Sequence, residues 1–480
     1  MNFRALLFPA ILLGAMLSGC HKEAAREIPK DAKVVTLWHG FTGEETTVFK
    51  QIMLDFEKDY EKRTGQKVIV DVQYVSYGDM VTKLRTAAMA KLTPDVAFMD
   101  SIKVTDMAFG RALVQMDSVD AFKKKYGTIA QGREEFVAAS YDAGIVNRLG
   151  EEHLYGLPVQ TTTIAMFWNR EIFRQRADQL RKAGVDPNRP PKDWDELFVY
   201  GKALTDPQTK LYGFALSRSL WFQFPFFNMY EAPWVSYDAQ GLVHSTIDSP
   251  NTRRALQRIQ DIANSGVEGG AWRTGGLAPE PGFTNKRFAM IITGPWMVKD
   301  FTNAGMDFDI ALVPAPSMKE VKELGLKPKL EGGDPADVSS FTSSNVGGQT
   351  GVILRNCKDR ELAFEALDYF TSEPVQRQWA SSLGQIPVRR SAWKDLDTSK
   401  FPFLPKFMAQ LSSARRIPQI PLYGTLENDL YNPQIDLLLN NSQSADSMTQ
   451  KMKASMDDKL FLRINEQAEA TRKLESQEQP

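Results

Sequence analysis

A chain of 480 residues is about three times the usual single-domain size, so two or more lobes are expected, with ample chain to bury their cores. Its content of 42% hydrophobic and 24% charged residues is that of an ordinary soluble globular protein. The 58 basic and 59 acidic residues nearly cancel, which argues against a nucleic-acid-binding surface and suits a ligand without large net charge.

Residues 1–20, MNFRALLFPAILLGAMLSGC, join a basic start at Arg4 to an apolar run from Ala5 to Leu17 and a small-residue approach to Cys20. This is the pattern of a secretory signal over 1–19. The run is shorter than the ~20 apolar residues a spanning helix needs, and no other segment is long and apolar enough. Leu17-Ser18-Gly19-Cys20 resembles the lipobox at which bacterial lipoproteins are cut and lipidated on cysteine. Residues 20–31 then read as a lipidated tether that holds a soluble body to a membrane. The chain has two cysteines, so a lipidated Cys20 leaves Cys357 without a disulfide partner and expected to be buried as a small apolar residue.

Val34 to Trp38 reads as a first strand, and His39-Gly40-Phe41-Thr42-Gly43 as a tight loop before a helix from about Glu44 to Thr64. The apolar positions Val48, Ile52, Phe56 and Tyr60 recur every four residues and predict one buried stripe. Val68 to Tyr74 is the next strand, Tyr77 to Ala90 a helix, and Asp95 to Met99 a strand ending at Asp100-Ser101. Alternating strand and helix implies a mostly parallel sheet with ligands at the carboxyl ends of its strands. His39, Tyr77, Asp100 and Ser101 fall at those ends.

Tyr155 to Phe173, YGLPVQTTTIAMFWNREIF, opens as a turn and continues as a long β-branched and apolar run from Val159 to Trp168. It becomes a helix start at Asn169, a good N-cap, with Glu171 in the first turn. About ten extended residues reach roughly 33 Å, longer than one sheet usually needs. The stretch therefore predicts a strand that leaves one globular unit for another, with Gln160 and Thr161 to Thr163 at the crossing. The alternative is a single buried strand whose threonines favour β structure.

Tyr-Gly-Leu-Pro, the Thr-rich strand, FWNREIF, and Pro190-Pro191-Lys192-Asp193-Trp194-Asp195-Glu196-Leu197 together resemble the central signature of the family 1 extracellular solute-binding proteins. These are the sugar-capturing components of bacterial ABC importers, among them maltose-binding and glycerol-phosphate-binding proteins. The loop after Trp38 and the PDVAFMDS strand match the family where its members touch ligand. The resemblance implies a two-lobed α/β fold of the type II periplasmic-binding kind, each lobe a mostly parallel sheet flanked by helices, with three crossings between lobes.

Further along, Asp193 to Thr205 predicts a helix, Tyr212 to Leu216 a strand, and Pro250 to Ser265 a helix with Ala255, Ile259 and Ile262 on one face. Phe283 to Trp296 resembles the family's second signature, with Arg287-Phe288 where members often carry small residues. Phe308 to Val313 reads as a strand, and 314–345, rich in Gly, Pro, Ser and charge, as a surface excursion. Val346 to Leu354 resembles the glycine-rich second crossing, which marks Gly348. Asn356 to Trp379 is helical, and Leu383 to Arg389 resembles the third crossing. The expected division is 32–157 with 350–387 for lobe one, 160–345 with 388–465 for lobe two, and a polar tail over 466–480.

Sugars present flat C–H faces that stack on aromatic rings, while their hydroxyls need fixed polar partners. Trp38, Trp221, Trp234, Trp272, Trp296 and Tyr423 lie in loops or at expected element ends, and Trp221 and Trp296 match aromatic ligand positions of the family. Asp100 suits a hydroxyl acceptor, Gln160 can both donate and accept, and Arg389 could grip an anionic group or pair with a carboxylate. The expected ligand set is His39, Tyr77, Asp100, Ser101, Gln160, Thr161, Trp221, Trp296, Gly348, Arg389 and Tyr423.

An enzyme is the competing class, since a retaining glycosidase needs two carboxylates about 5 Å apart. A ligand-sensing subunit on the same scaffold is another. The chain carries no G-x-x-x-x-G-K-[ST], no G-x-S-x-G and no H-E-x-x-H, and its four histidines lack metal-ligand spacing. The resemblance therefore implies a monomeric, extracytoplasmic binding protein without cofactor or metal. Its partners are a carbohydrate or polyol and the membrane subunits of an ABC permease.

Overall fold

The computed structural model describes residues 28–148 and 150–477. The signal segment, Cys20 and most of the tether lie outside the described residues. Lobe one begins with β1 (Lys33–His39), α1 (Gly43–Thr64), β2 (Val68–Tyr74), α2 (Met80–Ala90) and β3 (Val96–Asp100). β1 lies parallel to both β2 and β3. In β1 the buried positions are Val35, Leu37 and His39, the period of two that puts one face on the core. α1 buries Phe49, Ile52, Met53, Phe56 and Tyr60, a helical stripe, and stops at Gly65, whose left-handed φ of 73° lets its N–H return to the Glu61 carbonyl. α2 starts three residues later than its pattern predicts. The N–H groups of Asp79 and Met80 both turn back to the Ser76 carbonyl, and Tyr77 is left on that turn, 48% exposed.

A 3-10 turn at Ser101–Lys103 leads into α3 (Val104–Phe109), and β4 (Ile145–Arg148) pairs with β5 (Glu151–Leu154) as a hairpin. The long strand expected over 159–168 is two strands. β6 (Gly156–Thr163) closes the lobe-one sheet, and β7 (Ala165–Asn169) centres the lobe-two sheet, with Ile164 between them. Asn169 is the N-cap its position suggested, its Oδ1 accepting the Ile172 N–H at 3.0 Å. β8 (Val235–Tyr237) and β9 (Val243–Ser245) form a second hairpin. β10 (Met290–Thr293) and β11 (Phe308–Ala311) flank β7, and β12 (Val346–Ile353) returns to lobe one.

The lobe-one sheet has the order β2-β1-β3-β12-β6, with β12 antiparallel to both of its neighbours. In lobe two β7 runs antiparallel to β10 and β11, because the inserted crossing strand enters against both. The segment expected as a strand at 212–216 joins this sheet only through isolated parallel bridges, Tyr212 to Phe288 and Ala215 to Ile291.

Each lobe has its own core. Phe41, Phe49, Phe98, Phe370 and Trp379 pack together in lobe one. Lobe two is built around Trp194, stacked on Phe226 at 4.5 Å, with Phe227, Trp234 and Tyr431 beside them. A third cluster joins the lobes through Val137, Val346, Ile386 and Leu404. The lobe boundary expected at 388 moves, because Val388 is part of the lobe-one core and the Val137 N–H donates to its carbonyl. Nor is 314–345 a surface excursion. It carries the helix Met318–Leu324 under a Ser317/Glu320 capping box, and it buries Val321, Leu326 and Phe341.

The polar tail continues a helix, Leu462–Gln477. Cys357 is free and buried, and burial pushes its thiol up to about 12. Among the described residues no helix is long and apolar enough to cross a membrane, and no group of acidic, His or Cys side chains could hold a metal ion.

Candidate functional site

The crossings converge on Thr161. In the β6–β12 ladder Gly348 sits opposite Thr161 and Gln349 opposite Gln160, with a register shift just after Gln349, and Ile386 bridges Thr161 from the other side. Thr161 spends its hydroxyl on the fold, 2.5 Å from the Ser140 hydroxyl. Gly348 has a φ of 122°, and a Cβ there would stand 2.1 Å from the Gln160 carbonyl oxygen. Only a residue without a Cβ permits this close backbone approach.

From lobe one, β3 delivers Asp100. Its carboxylate accepts the Ile102 N–H at 3.1 Å and bonds the Tyr77 hydroxyl. Burial pushes the Asp100 carboxyl up, while these two donors favour the ionised form. Ser101, the next residue, is buried. α3 then touches lobe two: Thr105 bonds Gln419, and Asp106 Oδ1 accepts the Leu422 N–H at 2.5 Å, with Leu422 held at a left-handed φ of 63°. These contacts set Tyr423 against lobe one. The Lys103 ammonium lies 5.5 Å from its ring, and its buried hydroxyl has no partner among the described residues. Burial first, then the charges of Glu427 and Asp100, raise the Tyr423 phenol.

Trp221, second residue of the helix Leu220–Met229, lays its ring on the crossing, where a Cβ on Gly347 would come within 2.4 Å of it. Trp296 covers Gly294 and is 46% exposed. Trp234 and Trp272 are core residues. A cavity of about 530 Å³ also opens at the lobe seam, but several of its cations are committed: Arg133 to Asp142, Arg390 to Glu331 and Arg416 towards Glu152.

Two expected contacts are corrected by burial. His39 shares the inner face of β1 with Val35 and Leu37, is 0% exposed, and packs 4.9 Å from the Phe49 ring while its Nδ1 accepts the Phe41 N–H. It shapes the loop from inside. Arg389 is walled in as well. Its guanidinium donates to the Thr371 carbonyl at 2.7 Å and to the Tyr126 hydroxyl, pairs with Glu135 and Asp368, and stacks 4.2 Å over Phe136.

Burial, then the Lys50 charge, lowers the His39 pKa to about 4 from its ordinary 6.5. The unfolded chain therefore binds a proton that the folded one refuses between these values, so stability present above 6.5 is lost as pH falls towards 4. Going from pH 7 to pH 5 should cost about 2 kcal/mol through this group. Urea denaturation of the native chain and of His39→Gln at both pH values checks it. An equal pH loss in both proteins would dismiss the assignment.

Sequence reasoning missed Lys103 as well as Glu45, Gln349 and Gln385. Gln385 Nε2 donates to Glu45 at 2.8 Å, Gln160 Nε2 to Gln385 at 3.2 Å, and Gln349 Nε2 to Gln160 at 3.0 Å. Amides on two of the crossing segments, at 349 and 385, were a legible signal. Glu45, in the first turn of α1, carried none.

The Asp100, Tyr77 and Lys103 side chains of lobe one, the Trp221 and Tyr423 rings of lobe two and the amide row between them can hold a polar molecule with apolar faces. The model of the bacterial extracellular solute-binding proteins matches residues 42–377. The chain is 22% identical over 409 residues to the sn-glycerol-3-phosphate-binding periplasmic protein UgpB of Brucella abortus, covering 83% of each chain. It is also 22% identical to the maltotriose-binding protein of Pyrococcus abyssi, over 86% of this chain and 79% of that one. Its fold matches the sugar-binding protein MalE from Xanthomonas citri with a TM-score of 0.68 at 20% identity, over 93% of this chain and all 100% of that one. A cyclo/maltodextrin-binding protein solved with maltotetraose matches equally well, with a TM-score of 0.68 at 18% identity, over 91% and 100%. These relatives are binding proteins rather than enzymes, on the two-lobed scaffold described above. With its family signature running from the first loop through the third crossing's approach, this chain belongs to the bacterial extracellular solute-binding proteins.

Proposed function

We propose that this chain is the extracytoplasmic solute-binding component of an ABC importer, and that it captures a neutral carbohydrate or polyol at the lobe junction and hands it to the permease. The observation that carries the reading is the split of the polar and aromatic groups. Asp100, Tyr77 and Lys103 come from lobe one, while Trp221 and Tyr423 come from lobe two. A molecule that touches both sets interacts better with apposed lobes, and a ligand shifts such an equilibrium only by its differential affinity for the two states.

The names of the relatives leave two ligand classes, sugars and sn-glycerol 3-phosphate. The neutral class is supported by the loss of Arg389 to a buried ion-pair network and by the acids Asp100 and Glu427 around Tyr423. The same reading keeps residues 1–19 as an export signal and Cys20 as the lipidated anchor. Trp221→Ala is expected to weaken binding by about 1–3 kcal/mol with the circular dichroism spectrum unchanged. Calorimetry against a panel of maltotriose, smaller sugars and polyols measures this, with small-angle scattering for compaction. Unchanged affinity, or tight binding without compaction, would sink the reading.

A further inference from the structure

The row of amides at the junction has a direction, and the direction has a chemical cause. An ionised carboxylate only accepts hydrogen bonds. Burial raises the Glu45 carboxyl while the Thr42 N–H favours its ionised form, and in that form Glu45 obliges Gln385 to present its NH2 group, which turns the Gln385 carbonyl to Gln160. Gln160 must then donate in turn, and its own carbonyl faces Gln349. Gln349 uses its NH2 group on Gln160, so its carbonyl oxygen is what remains. That oxygen is buried and has no partner among the described residues, on a side chain only 5% exposed. A buried acceptor left unpaired is costly, so the position is set to receive a donor.

The β3–β12 register defines what stands beside it. Gln349 lies directly opposite Asp100, and side chains directly opposite in an antiparallel pair project to the same face. The free carbonyl and the Asp100 carboxylate are thus two acceptors on one face.

We propose that Glu45 is a positioning residue that sets the hydrogen-bonding polarity of the binding site: by anchoring the glutamine row it keeps the Gln349 carbonyl free. Gln349 and Asp100 together then select a ligand that donates, through sugar hydroxyls, over one whose recognised group offers only acceptor oxygens, such as a phosphate or carboxylate. The ligand half of this proposal rests on the solute-capture reading above.

Replacing Glu45 by glutamine keeps the shape and removes the cause of the direction. In Glu45→Gln the row can reverse without losing a bond, and Gln349 can turn its NH2 group outward. The double variant Glu45→Gln/Gln385→Glu puts a carboxylate one step further along, where it again obliges Gln160 and Gln349 to donate in the native sense. The mature chain is titrated calorimetrically with maltotriose and with sn-glycerol 3-phosphate, and the side-chain amide resonances of Gln160, Gln349 and Gln385 are followed by NMR.

The native chain is expected to prefer maltotriose, Glu45→Gln to lose about tenfold in its affinity, and the double variant to regain it. All three amide resonances should move in Glu45→Gln, and those of Gln160 and Gln349 should return in the double variant, which a mere loss of packing would not reproduce. Unmoved amides or undiminished affinity in Glu45→Gln, or no recovery in the double variant, overturns the proposal. A native preference for sn-glycerol 3-phosphate overturns the selection of donors and leaves solute capture standing. Binding of neither probe, together with no compaction by any of the panel sugars, overturns capture and the ligand half together, and the amide shifts then decide the row by themselves.

Discussion

Arg389→Ala is expected to destabilise the protein by about 3 kcal/mol, at the lower end of what removing one partner of a buried ion pair costs. The guanidinium serves the Thr371 carbonyl, the Tyr126 hydroxyl, Glu135 and Asp368 at once, and it covers the Phe136 ring. Its removal leaves Asp368 and the Thr371 carbonyl without that partner in a closed space and opens a gap over Phe136. Two circumstances limit the loss. Lys125 also pairs with Asp368, and Glu135 is half exposed and can rehydrate. Arg389→Lys should recover little, since an ammonium cannot serve these partners in one plane or stack on the ring. The check is a denaturant midpoint for each variant, with ligand affinity measured where the variant is still folded. Retained stability with lost affinity would return Arg389 to the ligand set.

Gly348→Ala is the second large effect, about 3 kcal/mol. The backbone is held at a φ of 122°, a region that L side chains rarely adopt, and the added Cβ would meet the Gln160 carbonyl oxygen at 2.1 Å. Backbone of the partner strand cannot step aside without breaking the β6–β12 ladder at the crossing. Gly347→Ala is the internal comparison. There the Cβ would meet the far edge of the half-buried Trp221 ring at 2.4 Å, and a side chain can swing. The first variant should unfold at clearly lower denaturant, while the second should keep most of its stability and lose ligand affinity by displacing Trp221. Equal midpoints for the two would show that the crossing is not the rigid ladder described here.

Much of the scaffold was legible before any coordinates. Period-two burial in β1, the stripe on α1, the cap at Asn169 and the departure of the chain after Thr163 all follow from local rules that neighbouring residues satisfy among themselves. The same alternation could have removed His39 from the ligand set, because it shares parity with Val35 and Leu37. Asp100, Tyr77, Trp221 and Tyr423 could be nominated from the sequence because each stands at an element end or on a turn, where chain geometry leaves side chains free.

What the sequence alone determined, then, is the two-lobed α/β architecture, the crossing strand and the chemical types gathered near it. Only the tertiary structure decided how those types are used. Glu45, Gln385, Gln160 and Gln349 are linked over separations of 340, 225 and 189 residues, and Arg389 reaches Glu135 across 254. A hydrogen bond exists only within a few tenths of an ångström of its ideal length, and such distances depend on how strands register and helices pack. Propensity and spacing act over a few residues, so they name the donors and acceptors without saying which of them meet. Packing makes that choice, turning the arginine inward to hold lobe one together and leaving one glutamine carbonyl at the junction without a partner among the described residues.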